Sequence, residues 1–211
     1  MVVPIPARAK GSEAYAYQDC SLFAVQMGPT QSSWRYDTGL LMTKYIALLR
    51  AVNVGGTGNL PMSELRAMCC DAGFARVETY IASGNVVFES KAAPSRVKAE
   101  LEGRLHAYVE KPVGVVVRSA PEMLAVLEAN PFPKAEPKYT YVIFLDEPPP
   151  SDALTHVSGQ RDEEMRLGER EIFVHYRSGM GRSKLRIPAA KMGTARNMNT
   201  VAKLVEIASK P

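Results

Sequence analysis

Four short polar segments hold the residue types that could do chemistry in this 211-residue chain. Arg50 and Asn53 run into a glycine-rich stretch, Gly55-Gly56-Thr57-Gly58. Ser83-Gly84-Asn85 forms a second polar group. A basic stretch carries Arg182, Ser183, Lys184 and Lys191, and the last segment holds Thr194, Arg196, Asn197, Asn199 and Thr200. What these types share is oxyanion recognition. A guanidinium offers a planar fork of donors, an Asn amide adds another, and glycine backbone N–H groups can cradle a phosphate at a strand-to-helix turn. The glycine stretch lacks the Gly-Lys-Ser/Thr ending of a nucleotide loop and the spacing of a dinucleotide fingerprint, so a plain turn accounts for it equally well. Asn85 is also a turn former, and Arg50 could equally bridge to a carboxylate such as Glu78. Thr194 is expected as a helix N-cap, with Arg196, Asn197, Asn199 and Thr200 crowding donors into the first turn and a half.

Catalytic machinery is sparse by comparison. His106, His156 and His175 show no metal-ligand spacing, and there is no nucleophile elbow, paired Cys-x-x-Cys or zinc-protease motif. Ser83, Tyr80 and Ser183 are polar, but nothing beside them in sequence activates them. The run Asp162-Glu163-Glu164 reads as a solvated turn. Cys20, Cys69 and Cys70 suit neither a disulfide framework nor a metal site, so free thiols are expected, with no metal and no cofactor.

These candidates must be positioned by an α+β scaffold. Residues 1–41 show no sustained periodicity and scatter proline and glycine among polar residues, which reads as a disordered leader or a mis-assigned start, with Met42 as the natural initiator. From Tyr45 to Leu49 an apolar run predicts a buried strand. Leu65, Met68, Cys69 and Ala72 repeat with helical spacing, and Gly73 is placed to end that helix. Val77, Thr79 and Ile81 alternate as a strand, turn at Ser83-Gly84-Asn85 and return through Val86–Phe88. Pro94 opens a second helix on Val97, Leu101, Leu105 and Tyr108, and Val113–Val117 closes the unit. The order is βαββαβ, the ferredoxin-like pattern. A helix over Pro121–Ala129, a strand over Tyr139–Leu145, a short helix near Asp152–Val157, a hairpin of Glu164–Leu167 with Ile172–Tyr176, and a last helix repeat the theme less cleanly. Two ferredoxin-like modules are expected, at 42–119 and 120–211.

Three segments, 48–56, 79–86 and 194–201, together with Asn130-Pro131-Phe132, resemble the bacterial family catalogued as domain of unknown function sixteen ninety-seven. The resemblance spans Met42 to about Ser209. It implies a two-module α+β fold that begins at or near Met42, with no established reaction or ligand. At three positions the family usually carries Gly, Gln and Trp where this chain has Ala51, Ala82 and Met198, which removes an amide and an indole ring from any shared ligand site.

Charge completes the sequence reading. Residues 177–211 hold eight basic side chains against one acid, while the body before them is slightly acidic. A basic end on an acidic body attracts an anion: a phosphate-bearing small molecule, a nucleic-acid backbone or an acidic protein surface. The expected function is therefore binding of a nucleotide or nucleic-acid backbone, with a small enzyme acting on a phosphorylated or carboxylated metabolite, or a protein-interaction module, as the rivals. With neither a secretory signal nor an apolar run of about 20 residues, no membrane partner is expected and the cytoplasm is.

Overall fold

The computed structural model describes residues 42–53 and 60–211; the leader and the glycine stretch, with the candidates Gly55 and Gly56, lie outside the described residues. The first half runs β1 (Thr43–Leu49), α1 (Met62–Asp71), β2 (Ala75–Thr79), β3 (Asn85–Ser90), α2 (Pro94–Val109), β4 (Val115–Ser119). The second runs α3 (Ala120–Glu128), β5 (Thr140–Phe144), β6 (Glu163–Leu167), β7 (Glu171–Tyr176), β8 (Thr194–Asn197), α4 (Met198–Ser209), with short 3-10 turns between. Local chemistry sets the helix ends. Gly73, at φ +78°, takes the left-handed conformation that ends α1, and Pro94 sits in the first turn of α2. Ser119 and Glu122 form a reciprocal capping box on α3, and the Asn197 side chain caps α4 by accepting from Thr200 N–H at 2.9 Å.

The strands make two four-stranded antiparallel sheets, ordered β2-β3-β1-β4 and β6-β7-β5-β8. Period-two alternation splits each sheet between two cores. Tyr45, Ala47 and Leu49 face an outer core with Leu65 of α1 and Val97, Leu101 and Leu105 of α2. Ile46, Leu48, Val87 and Val116 face a central core with α3, α4, and Val142, Phe144 and Phe173 of the second sheet. The second sheet's far face, from Ile143, Ile172 and Val174, is covered by loop residues including Leu154, Leu185 and Ile187. Helices α3 and α4 are thus sandwiched between the sheets. Full burial of one such leucine, Leu204, contributes about 1.5–3 kcal/mol.

One correspondence links the halves. Ile46 of β1 pairs with Arg118 of β4, and Val142 of β5 pairs with Arg196 of β8. In each case the arginine is followed by a capping residue, Ser119 or Asn197, and then directly by a central helix in which two buried apolar side chains, Met123 and Val126 or Val201 and Leu204, hold the same offsets from the cap.

Some sequence expectations are corrected. Asp152–Val157 is a run of turns closed by Ala153 N–H to Pro150 O and Thr155 N–H to Asp152 O, too short for a helix to nucleate. Ile81 lies outside β2, in the turn, at φ +50° and 48% exposed. Thr194 opens a strand instead of capping a helix, so Arg196 stands in β8 and Asn197 is the cap. Cys69 is a free thiol that burial pushes up to about 12, while Cys70 is not free, so the expectation of free thiols holds among the described residues at Cys69 alone.

Candidate functional site

The polar segments do converge, where the end of β1, the 81–84 turn and the start of β8 meet, but most of their donors are spent on the fold. Arg196 is 7% exposed. Its Nε donates to Asn85 Oδ1 at 2.5 Å, its Nη1 to Thr194 Oγ1 and Ala195 O at 2.8 Å, and its Nη2 to Leu49 O, Ser83 O and Gly84 O at 2.8–3.1 Å. The Asn85 amide donates to Tyr80 O and Ser83 Oγ. Thr194 Oγ1 donates to Leu49 O at 3.0 Å. Asn53 brackets the 54–59 segment, its Nδ2 donating to Leu60 O and Ala82 O while Oδ1 accepts from Leu60 N–H. Asn85, Thr194, Arg196, Asn197 and Asn53 therefore hold chain to chain. Gly84 is there for close packing: a Cβ on it would stand 2.7 Å from Val52 Cγ2 and 2.8 Å from Leu49 Cβ.

Four other candidates sit elsewhere or stay open. Ser183 belongs to a different region, where its hydroxyl donates to Glu163 and accepts from Leu185 N–H. Thr200 is buried in the first turn of α4, and Asn199 is exposed there. Glu78 pairs with Lys210 instead of Arg50, and the Arg50 side chain donates to Met192 Sδ at 3.2 Å, its one hydrogen bond among the described residues.

Above this knot lies an open groove of about 460 Å³, lined by Leu49–Val52, Ser83, Lys191 and Gly193–Arg196. Among the described residues its lining carries Arg50, Lys191 and Arg196 and no carboxylate. Lys191 is exposed and has no ion pair among the described residues. The electrostatics beneath are unequal between the two halves. Arg118, 1% exposed, is neutralised by Glu171, whose carboxylate accepts from Nη2 at 3.0 Å and from Nε at 3.2 Å; Nη2 also reaches Leu145 O at 2.6 Å. Arg196, its counterpart in register, has only neutral acceptors among the described residues, and burial pulls it down to about 10, leaving it cationic at neutral pH. A buried cation with no counter-ion projects positive potential into the groove above it.

Backbone strain gathers at the same place. Ala51, Asn53 and Ile81 all have φ between +50° and +57°, three of the five non-glycine residues with positive φ among the described residues. A β-branched residue in that region is a genuine outlier, and such strain clusters at functional sites. Ala51 stands where the resembled family usually has Gly, which adopts this φ without cost. Ala51→Gly is therefore expected to stabilise the protein by about 1 kcal/mol, read as a rise in Tm of roughly 2–4 °C; an unchanged or lower Tm contradicts strain at that position. Met198, in the family's Trp position, is buried in the central core, so that difference concerns packing and not the groove.

Sequence reasoning missed Arg118 and Glu171. The signal was an arginine ending a run of valines just before a capping box, where a surface charge is out of place. Among the described residues, no cluster of His, Cys, Asp or Glu could hold a metal, and no helix is long and apolar enough to cross a membrane.

Comparison with known proteins agrees with this architecture. The solved structure described as a conserved bacterial protein, SP0830 from Streptococcus pneumoniae, superposes with a TM-score of 0.67 at 24% identity, covering 80% of this chain and 100% of that one, which shows a shared fold. No curated protein matches the chain. The family model described as "Protein of unknown function (DUF1697)" matches residues 42–173, well over half of the sequence, and the chain belongs to that family.

Proposed function

We propose that the protein binds a phosphate-bearing small molecule in the groove between the end of β1 and the start of β8. The observation that carries this reading is the uncompensated Arg196 beneath a groove rimmed by Arg50 and Lys191 and free of acids. At the Arg118 end of the molecule Glu171 supplies the counter-charge; at the Arg196 end an anionic ligand supplies it. The strained backbone of Ala51, in the groove's lining, supports the same location. The lining offers no histidine, aspartate or glutamate as acid or base, so the reading is of a binding site and not of turnover. It extends to the scaffold: each half is read as a ferredoxin-like module, 42–119 and 120–211, on the strength of the matching strand orders and the register of the two arginines.

Calorimetric titration of the full chain with ATP, pyrophosphate and adenosine tests the proposal. The two phosphate compounds are expected to bind and adenosine is not. Arg50→Ala combined with Lys191→Ala removes two charge-assisted contacts, each worth about 1.5–3 kcal/mol, and is expected to weaken binding at least about a hundredfold without lowering Tm. Failure of both phosphate compounds to bind, or a double variant that binds as the wild type does, overturns it.

A further inference from the structure

A second basic feature stands apart from the groove. Lys184, Leu185, Arg186 and Ile187 run as an extended segment whose backbone is tied to the 158–159 loop. Ser158 N–H donates to Arg186 O at 3.0 Å and Arg186 N–H to Ser158 O at 2.8 Å. The fit is close, since a Cβ on Gly159 would stand 2.2 Å from Lys184 O. Leu185 and Ile187 pack on the second sheet's outer core, so the alternation turns Lys184 and Arg186 outward on one side. Two residues along an extended chain are roughly 7 Å apart. Two more cations join them. Arg182 precedes Ser183, and Arg161 is brought close because its N–H and the Ser183 hydroxyl both donate to the buried Glu163 carboxylate. Arg161, Arg182, Lys184 and Arg186 are all exposed, and none has an ion pair among the described residues. Of the nearby acids, Glu164 pairs with Arg177, Asp162 accepts from Ser178 Oγ, and Glu163, 4% exposed, accepts only from neutral donors and stays anionic beneath the strip, so the four exposed cations outnumber the two carboxylates without a counter-ion.

We infer that this strip is a docking surface for double-stranded nucleic acid, gripped by its phosphates without base readout. A repeat of fixed, unpaired cations along an extended edge matches a polyanion of regular, high charge density. Exposed aromatic side chains, which single-stranded binding uses to stack bases, are missing from 177–193, so the duplex backbone is the form it fits. The strip shares no residue with the groove, and this inference stands whether or not the groove takes a small molecule.

Fluorescence anisotropy of a labelled duplex with the full chain provides the test. Four phosphate contacts give a slope of log K against log salt of about −3.6. Arg182→Ala, Lys184→Ala and Arg186→Ala together are expected to cut affinity at least about tenfold and bring the slope near −1. Lys91→Ala, Arg96→Ala and Lys111→Ala remove the same charge from exposed positions on and beside α2 and are expected to change affinity less than about twofold. Should the strip variant prove unfolded by circular dichroism, Lys184→Glu alone serves in its place. A slope near zero, equal losses in both triple variants, or competition by polyglutamate as effective as by unlabelled duplex overturns the inference, the last in favour of an acidic protein partner.

Discussion

Arg196→Ala is expected to cost about 2–6 kcal/mol, with a fall in Tm on the order of 10 °C, because the side chain it removes is a strut. Its guanidinium makes six hydrogen bonds, four of which tie β8 to the end of β1 and to the 83–85 segment. Two of its acceptors, Ser83 O and Asn85 Oδ1, have no other donor among the described residues. A buried acceptor left without a partner costs about 1–3 kcal/mol. Arg196→Lys keeps the charge but not the planar fork, and is expected to recover less than half of the loss. Urea denaturation at neutral pH measures both. A loss below about 1 kcal/mol for the alanine variant contradicts the strut. The same result makes this residue a poor probe of ligand binding, since a weakened site could not be told from a weakened fold; Lys191, and Arg50, whose side chain bonds the exposed Met192, are the informative positions.

Much of the scaffold was legible in the sequence because its signals are local. Tyr45–Leu49 is apolar throughout because the strand is buried on both faces, and Val97, Leu101 and Leu105 mark one side of α2 unambiguously. The errors fall where a long-range contact decided between two good local answers. Thr194 suits a helix cap and a strand equally, and its pairing with Phe144 chose the strand. Ile81 continues the alternation of β2, but the close approach of Gly84 to Leu49 and Val52 forces the chain to turn before it. The candidate site shows the same limit. A guanidinium and an amide close in sequence to glycines look alike whether they hold a phosphate or a carbonyl, and only burial separates Arg196 and Asn85, which are consumed, from Arg50 and Lys191, which are open. Nothing in the spacing announced that Arg196 and Arg118 would be counterparts, because that equivalence lives in strand register.

That equivalence sets the last expectation. Arg118→Ala leaves Glu171 charged, 4% exposed and without its cation, and is expected to destabilise the protein by about 3–5 kcal/mol. The carbonyls that also accept from this guanidinium, Leu145 O at 2.6 Å, Val117 O and Arg170 O, lose a donor and add to the loss. Removing the stranded charge as well, with Glu171→Gln, should return part of the stability, so that the double variant is more stable than Arg118→Ala alone. The size of the coupling in this cycle, on the order of 1–3 kcal/mol, separates the charge contribution from the loss of packing. No such rescue is expected at Arg196, whose partners are all neutral; there, Asn85→Ala on the Arg196→Ala background should recover only the hydrogen-bond coupling. Equal couplings in the two cycles would mean that the two arginines do not differ in this way, one carrying its counter-ion within the fold and the other leaving that role to a ligand.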